Sequence, residues 1–247
     1  MADYAGSVIA ETVRRHPPLF SVAALEALKL ECMMQAEQHL KNTMSNAALQ
    51  KLKKLSLLTE GPYKAFLYDC DGTLADNMHS HKAAFVKVAS TYNISLDDSI
   101  IDELAGWPTV LIAEEISKRY GITLDPHLFA EQKSTLYKEE FVAGTQPIPF
   151  VVEHLKRAHG RVKIGVVSGG SRATVSITLS TIAVDQYLDA LVCAGETERG
   201  KPYADPFLRA AELLGVKPEE CLVFEDGDPG VQAAESAGMK WIRIDKI

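Results

Sequence analysis

The stretch Lys64-Ala-Phe-Leu-Tyr-Asp69-Cys-Asp71-Gly-Thr73-Leu constrains the fold of this chain more than any other. A short apolar run of strand length, aromatic and aliphatic, ends abruptly in two aspartates and a glycine. That pattern reads as a buried parallel strand whose carboxyl end presents acids. Successive strand residues face opposite sides, so Asp69 and Asp71 are expected to leave the strand together, close enough to share one cation. Two carboxylates so placed need a metal or a shared proton. Gly72 lets the backbone turn sharply, and Thr73 offers a hydroxyl and an amide to an anion. An ordinary strand closed by an Asp-Gly turn has the same local look, so the choice rests on the remaining residues.

The 247 residues suffice for one large domain or two smaller ones, and 47% hydrophobic content is that of a globular protein with a sizeable core. A net charge of −7 without any basic block speaks against nucleic acid or an anionic membrane as partner. Cys32, Cys70, Cys193 and Cys221 show no close pairing, and three of them fall in or beside expected buried strands. A reduced, cytoplasmic setting fits that usage. No cationic start with an apolar core and cleavage site is seen, and no apolar run is long enough to span a bilayer.

Residues 1–60 read as a helical extension. Apolar residues recur three and four apart, as in Val22, Leu25 and Leu28 and then Leu49, Leu52 and Leu55, with Pro17 and Pro18 ahead of the run and Ser45-Asn46 as break and N-cap. Such stripes must be covered by the rest of the chain or by a second copy, which makes a homo-oligomer through these helices one reading. Gly61-Pro62 marks the boundary. After the acidic stretch, Asp76 is expected to cap a helix, and His79 or His81 could face the acids.

Residues 80–144 are helical and turn-rich, with helices expected over 80–91, 97–105, 109–119 and 127–141. Gly121 stops the third and Pro126 starts the fourth. Gly106-Trp107-Pro108-Thr109 joins the second to the third, and could be no more than a connector with an aromatic packed beneath it. Lys133 and Lys138 on the last helix are expected at the surface.

An α/β pattern then resumes. Residues 150–158 read as a helix, and Val162-Lys-Ile-Gly-Val-Val-Ser168-Gly169-Gly as a buried strand ending in a small-residue loop, where free amides at a helix start bind anions. Leu191-Val-Cys is a further strand, and Gly200-Lys201-Pro202-Tyr-Ala-Asp205-Pro206-Phe207 holds a lysine on a stiff loop before a helix. Cys221-Leu-Val-Phe-Glu225-Asp226-Gly-Asp228-Pro-Gly is a second strand ending in acids, with Asp228 read as a helix N-cap or outer acid. Two such strand ends can converge on one hard cation at the carboxyl edge of a parallel sheet.

Taken together, in order, the Asp69–Thr73, Ser168-Gly, Lys201-Pro and Glu225-Asp226 motifs resemble the haloacid dehalogenase superfamily, subfamily I, and are similar to its sugar phosphatases and β-phosphoglucomutases. The resemblance implies a Rossmann-like three-layer α/β sandwich with a parallel sheet (residues 61–79 and 145–247), an inserted helical cap (80–144) and, as a departure from the usual pattern, the N-terminal helical extension. It implies Asp69 as nucleophile and Asp71 as general acid/base. Mg²⁺ would be held by Asp69, the Asp71 backbone carbonyl and Asp226, with Glu225 ligating or supporting. Thr73, Ser168, Gly169 and Lys201 would bind the phosphoryl group, His81 would stand at the cap hinge, and Trp107 and Thr109 would lie in the specificity loop. The expected function is a Mg²⁺-dependent phosphatase acting on small phosphorylated metabolites, sugar phosphates above all. Two alternatives stand beside it: a phosphosugar mutase, disfavoured because Thr109 stands where mutases carry an arginine, and a non-catalytic binding protein on the same fold.

Overall fold

The computed structural model describes residues 22–247. The expectation for Pro17 and Pro18 lies outside these residues, as do the side chains of Val22 and Leu25. Helix α1 (Val22–Thr43) is followed by α2 (Asn46–Leu58), which Ser45 caps by accepting the Ala48 amide at 3.2 Å. Leu52 and Leu55 of α2 are buried against Phe150, Val151 and Leu155, whereas Leu28, Leu30 and Met34 of α1 face outward. The second stripe is thus covered by the chain itself.

Strand β1 (Ala65–Tyr68) follows, then the two-residue β2 (Ala75–Asp76). Between β2 and its antiparallel partner β3 (Gln146–Pro147) the chain makes α3 (Met78–Thr91), α4 (Ser99–Glu103), α5 (Thr109–Tyr120), α6 (Pro126–Leu136) and a π turn, Tyr137–Phe141. These helices pack on one another through Phe85, Val88, Ile101, Ile112, Ile116 and Phe129, a cluster separate from those lining the sheet. Gly121 ends α5 in the left-handed region at φ +64°, and Asp125 caps α6 by accepting the His127 and Leu128 amides. Asp76 caps nothing: pairing with Gln146 holds it in β2, and Asn77 takes the N-cap position of α3.

The chain returns through α7 (Pro149–Ala158), β4 (Lys163–Val167), α8 (Arg172–Thr181), β5 (Ala190–Val192), α9 (Asp205–Leu214), β6 (Cys221–Glu225), α10 (Asp228–Ser236) and β7 (Lys240–Arg243). The sheet is parallel in the order β5-β4-β1-β6-β7, with Phe66 opposite both Ile164 and Leu222. Alternate residues of β1 feed different layers, Phe66 and Tyr68 packing with α2, α7 and α8, and Ala65 and Leu67 with α9 and α10. With both faces covered, this is the three-layer Rossmann-like sandwich expected, and β1, central in it, delivers its carboxyl end to the middle of the sheet edge. No helix among the described residues is long and apolar enough to cross a membrane.

His154 of α7 fastens α2 to the core. Its Nδ1 lies 2.9 Å from the Tyr68 hydroxyl and its Nε2 3.1 Å from Thr59 Oγ1, which gives its own proton to Ser56 O. The neutral ring with hydrogen on Nε2 satisfies both contacts, and a protonated ring would strip Tyr68 of its acceptor. Burial, with Arg161 and Arg157 adding to it, pushes the His154 pKa down to about 4. A folded-state pKa below the unfolded value of about 6.5 contributes stability above that pH and loses it as pH falls towards 4. Urea unfolding is therefore expected to show a decline across this window that His154→Gln flattens by about 3 kcal/mol; parallel pH profiles for the two proteins would contradict the assignment.

Candidate active site

Three strand ends meet at Lys201. Its ammonium donates to Asp69 Oδ1 at 2.6 Å, Glu225 Oε1 at 2.5 Å and the Val167 carbonyl at 2.8 Å, one acceptor beyond or at the end of each of β1, β6 and β4. All three of its protons are taken in a site where Lys201 is 1% exposed. Burial opposes its charge, but the Asp69 and Glu225 carboxylates outweigh burial and hold its pKa above the ordinary lysine value. Asp69 is placed by its amide, which donates to Phe224 O at 2.9 Å.

Asp69, Glu225 and Asp226 each offer a carboxylate oxygen, all within 4.8 Å of one another. Burial raises the Asp69 pKa, Lys201 alone opposes it, and Glu225, Asp226 and Asp71 add to the rise. Burial, followed by Glu225, pushes Asp226 up to about 7. Such crowding of buried oxygens around one point suits a hard divalent cation, whose charge would correct the imbalance. The Thr73 hydroxyl donates to Asp226 Oδ1 at 3.1 Å, so it is spent on this cluster. Gly72, at φ +88°, is required by the same acid: a Cβ there would stand 2.1 Å from Asp226 Oδ2. Asp228 is not in the cluster. It is the first residue of α10, is exposed, and pairs with Arg243.

The Asp71 side chain also lies outside it, contrary to the expectation that the two aspartate side chains share a cation. Strand β1 ends at Tyr68, before either aspartate, so the two-residue alternation does not carry through. Asp71 Oδ1 instead accepts from Asn77 Nδ2 at 2.6 Å and lies 3.1 Å from His81 Nε2. The buried Lys133 ammonium donates to His81 Nδ1 at 2.6 Å, which leaves the ring proton on Nε2, aimed at Asp71. Burial alone would raise Asp71, but His81, Asn77 and Lys133 outweigh it and hold its carboxyl well below the usual range. His81 is lowered by burial first and then by Lys133. Burial pushes Lys133 down to about 8.

Two of these groups escape a reading of motifs. Asn77 belongs to none, and Lys133, expected at the surface, is 4% exposed. The available signal for Lys133 is its spacing: Phe129, Ala130, Lys133 and Tyr137 recur three and four apart, and all four are buried. His79 is exposed and Lys138 half-buried.

Asp69, Asp71, His81, Lys133, Ser168 and Trp107 all line one cavity of about 60 Å³, and Thr109 and Gly169 also border a neighbouring cavity of about 880 Å³. Ser168 is buried, and its hydroxyl accepts from the Gly170 amide at 3.0 Å. The 105–108 loop closes over the strand ends by resting on glycines. A Cβ at Gly169 would stand 2.3 Å from Gly106 O, one at Gly200 2.5 Å from Pro108 Cγ, and one at Gly227 3.0 Å from Ala105 O. Trp107 itself is half-buried against the α3–α6 cluster.

Residues 66–244 match the family described as haloacid dehalogenase-like hydrolase. The chain is 35% identical over 182 residues to a fructose-1-phosphate phosphatase, YqaB, of Escherichia coli K12, covering 74% of this chain and 96% of the relative. Among solved structures, a hydrolase from Pseudomonas syringae superposes with a TM-score of 0.67 at 25% identity, covering 73% of this chain and 84% of the other. A β-phosphoglucomutase from Clostridium difficile does so with a TM-score of 0.61 at 27% identity, covering 73% and 84% respectively.

The glycine contacts generate a direct expectation. The chain has two tryptophans, so in a Trp241→Phe background emission reports Trp107 alone. Gly200→Ala should lift Pro108 and shift that emission to the red without loss of the folded state; an unshifted spectrum would show that the loop does not depend on this seat.

Proposed function

The chain belongs to the haloacid dehalogenase-like hydrolases, and we propose that it is a Mg²⁺-dependent phosphatase of small phosphorylated metabolites, sugar phosphates above all, working through an aspartyl-phosphate on Asp69. The observation that carries this reading is the division of labour between two aspartates two residues apart: Asp69 is locked onto Lys201 among the acids, and Asp71 is turned away onto Asn77 and His81. A nucleophile needs a fixed position and a neutralised charge, and a proton-transfer group needs partners that set its ionisation. The sugar-phosphate preference is supported by the likeness to the fructose-1-phosphate phosphatase.

Residues 80–144 act as a cap on a core of 61–79 and 145–247, and α1 and α2 belong to the N-terminal extension of 1–60, whose first 21 residues lie outside the described ones. Asp69 and Asp226, supported by Glu225 and joined by the Asp71 backbone carbonyl, would hold Mg²⁺, which when bound offsets the repulsion between the attacking carboxylate and the phosphoryl group. Lys201 keeps one Asp69 oxygen engaged, so the other is directed at phosphorus. Asp69 attacks in line and the P–O bond to the alcohol breaks. Asp71 gives the leaving oxygen its proton and, as carboxylate, then removes one from the water that attacks the aspartyl-phosphate. The substrate's own negative charge favours the acid form in the first step. Ser168, Gly169 and Thr73 through its amide stabilise the equatorial oxygens, where charge spreads in the transition state, and Lys201, its protons already taken, adds its positive charge from beside Asp69. His81 and Lys133 set the ionisation of Asp71 from the cap side, and Trp107 and Thr109 border the leaving group.

A mutase must also hold a second phosphate. The likeness to β-phosphoglucomutase favours that reading, but Thr109 supplies no charge, and Lys133, the cation contributed by the cap to this cavity, is committed to His81. The cytoplasmic setting is supported by free thiols at Cys70, Cys193 and Cys221, all buried. A second copy of the chain would find Leu28, Leu30 and Met34 available on α1.

Phosphate release from a panel of sugar phosphates, nucleotides and pyrophosphate should be selective for one or a few sugar phosphates and vanish with chelator. Asp69→Asn should lower turnover by about a thousandfold or more. Substantial hydrolysis by that variant would refute the nucleophile, and interconversion of hexose phosphates without release would favour the mutase.

A further inference from the structure

Tyr137 is wholly buried, takes no part in the chemistry above, and stands where the last cap helix loses its regular form. The Val142 amide reaches back five residues to Tyr137 O, closing the π turn from which the chain runs on to β3. Turns of this kind are rare, less favourable than α-helix, and concentrated at functional sites. Here the turn places an aromatic ring flat on His81, with centroids 4.1 Å apart and planes at 13°.

The hydroxyl of Tyr137 has a defined place in the hydrogen bonding. Asn77 Nδ2 carries two protons, and its two oxygen acceptors are Asp71 Oδ1 at 2.6 Å and the Tyr137 hydroxyl at 2.8 Å. Having accepted there, the hydroxyl has its own proton left for Thr145 Oγ1, 3.3 Å away, or for Thr178 of α8. Asn77 Oδ1 is buried with no partner among the described residues. A buried orphan carbonyl is costly, and reversing the amide would press that oxygen against the Asp71 carboxylate. The orientation of Asn77 therefore rests on two acceptors, and only one of them, Tyr137, is independent of the chemistry. Asn77 precedes the cap and Thr145 follows it, beside the β2–β3 pairing, so the same hydroxyl ties both chain crossings to the group that holds Asp71.

We propose that Tyr137 is a positioning residue for proton transfer by Asp71: its hydroxyl fixes the Asn77 amide, and the amide keeps the Asp71 carboxyl aimed at the leaving group. This rests on the phosphatase reading above. Without the hydroxyl one Nδ2 proton loses its acceptor, the amide can turn, and Asp71 loses its shortest contact.

Leaving-group dependence separates positioning from mere structural support. An alcohol leaving group needs a proton from Asp71, and p-nitrophenolate leaves without one. Tyr137→Phe keeps the ring on His81 and is expected to lower kcat/KM about tenfold on the preferred sugar phosphate, and less than about twofold on p-nitrophenyl phosphate. Thr145→Val, which removes a partner of the hydroxyl, should give the same selective pattern in weaker form. Tyr92→Phe, which removes another cap hydroxyl bonded to Gln132 at 2.8 Å, should change neither rate. Equal losses on both substrates, or no loss on either, would overturn the proposal. A wild-type protein inactive on every phosphate ester would instead sink the phosphatase reading itself.

Discussion

One ammonium group holds the carboxyl ends of three strands together. Lys201 gives each of its three protons to an acceptor from a different strand end, and each acceptor is buried. Burying a lysine is unfavourable unless its charge and all its donors are met, and here two carboxylates and a carbonyl meet them. The same contacts fix Asp69 and Glu225, which brings Asp226 into the group and concentrates negative charge at one point of the sheet edge. A parallel sheet with β1 at its centre is what allows three such ends to converge.

The second aspartate follows a different logic. Its partners come from the helices inserted between β2 and β3: Asn77 at the N-cap of α3, His81 one turn into it, and Lys133 on α6 behind the ring. The surroundings of Asp71 are thus assembled by the packing of α3 and α6 beside it, while the contacts of Asp69 come from the sheet edge and the Lys201 loop. The loop over the strand ends is admitted by Gly169, Gly200 and Gly227, where side chains would collide with it. The same loop and the start of α5 bring Trp107 and Thr109 to the cavity that both aspartates line.

Much of this was legible in the chain. Apolar runs ending in acids, Ser-Gly or Lys-Pro marked the strand ends and the loop lysine, because a buried parallel strand and a polar terminus leave an abrupt compositional edge. The helix stop at Gly121, the cap at Ser45 and the helix start at Pro126 follow local chemistry and lay equally in view. What local pattern could not supply was direction. The opposite aims of Asp69 and Asp71 depend on where β1 ends, and Lys133 reads as a surface lysine until the packing of α6 turns it inward. Asn77 has no signature, since its contacts with Asp71 and Tyr137 arise only when the acidic turn, the start of α3 and the π turn meet.

The most direct test of the division between the two aspartates is peptide mass spectrometry of the Asp71→Asn protein quenched after mixing with p-nitrophenyl phosphate and Mg²⁺. This leaving group needs no proton, so the first step should proceed while activation of water fails. The account predicts a phosphoryl group accumulating on the peptide that contains Asp69, well above the level in the wild-type protein. Steady hydrolysis with no phosphorylated peptide, or a phosphoryl group on any other residue, would contradict it.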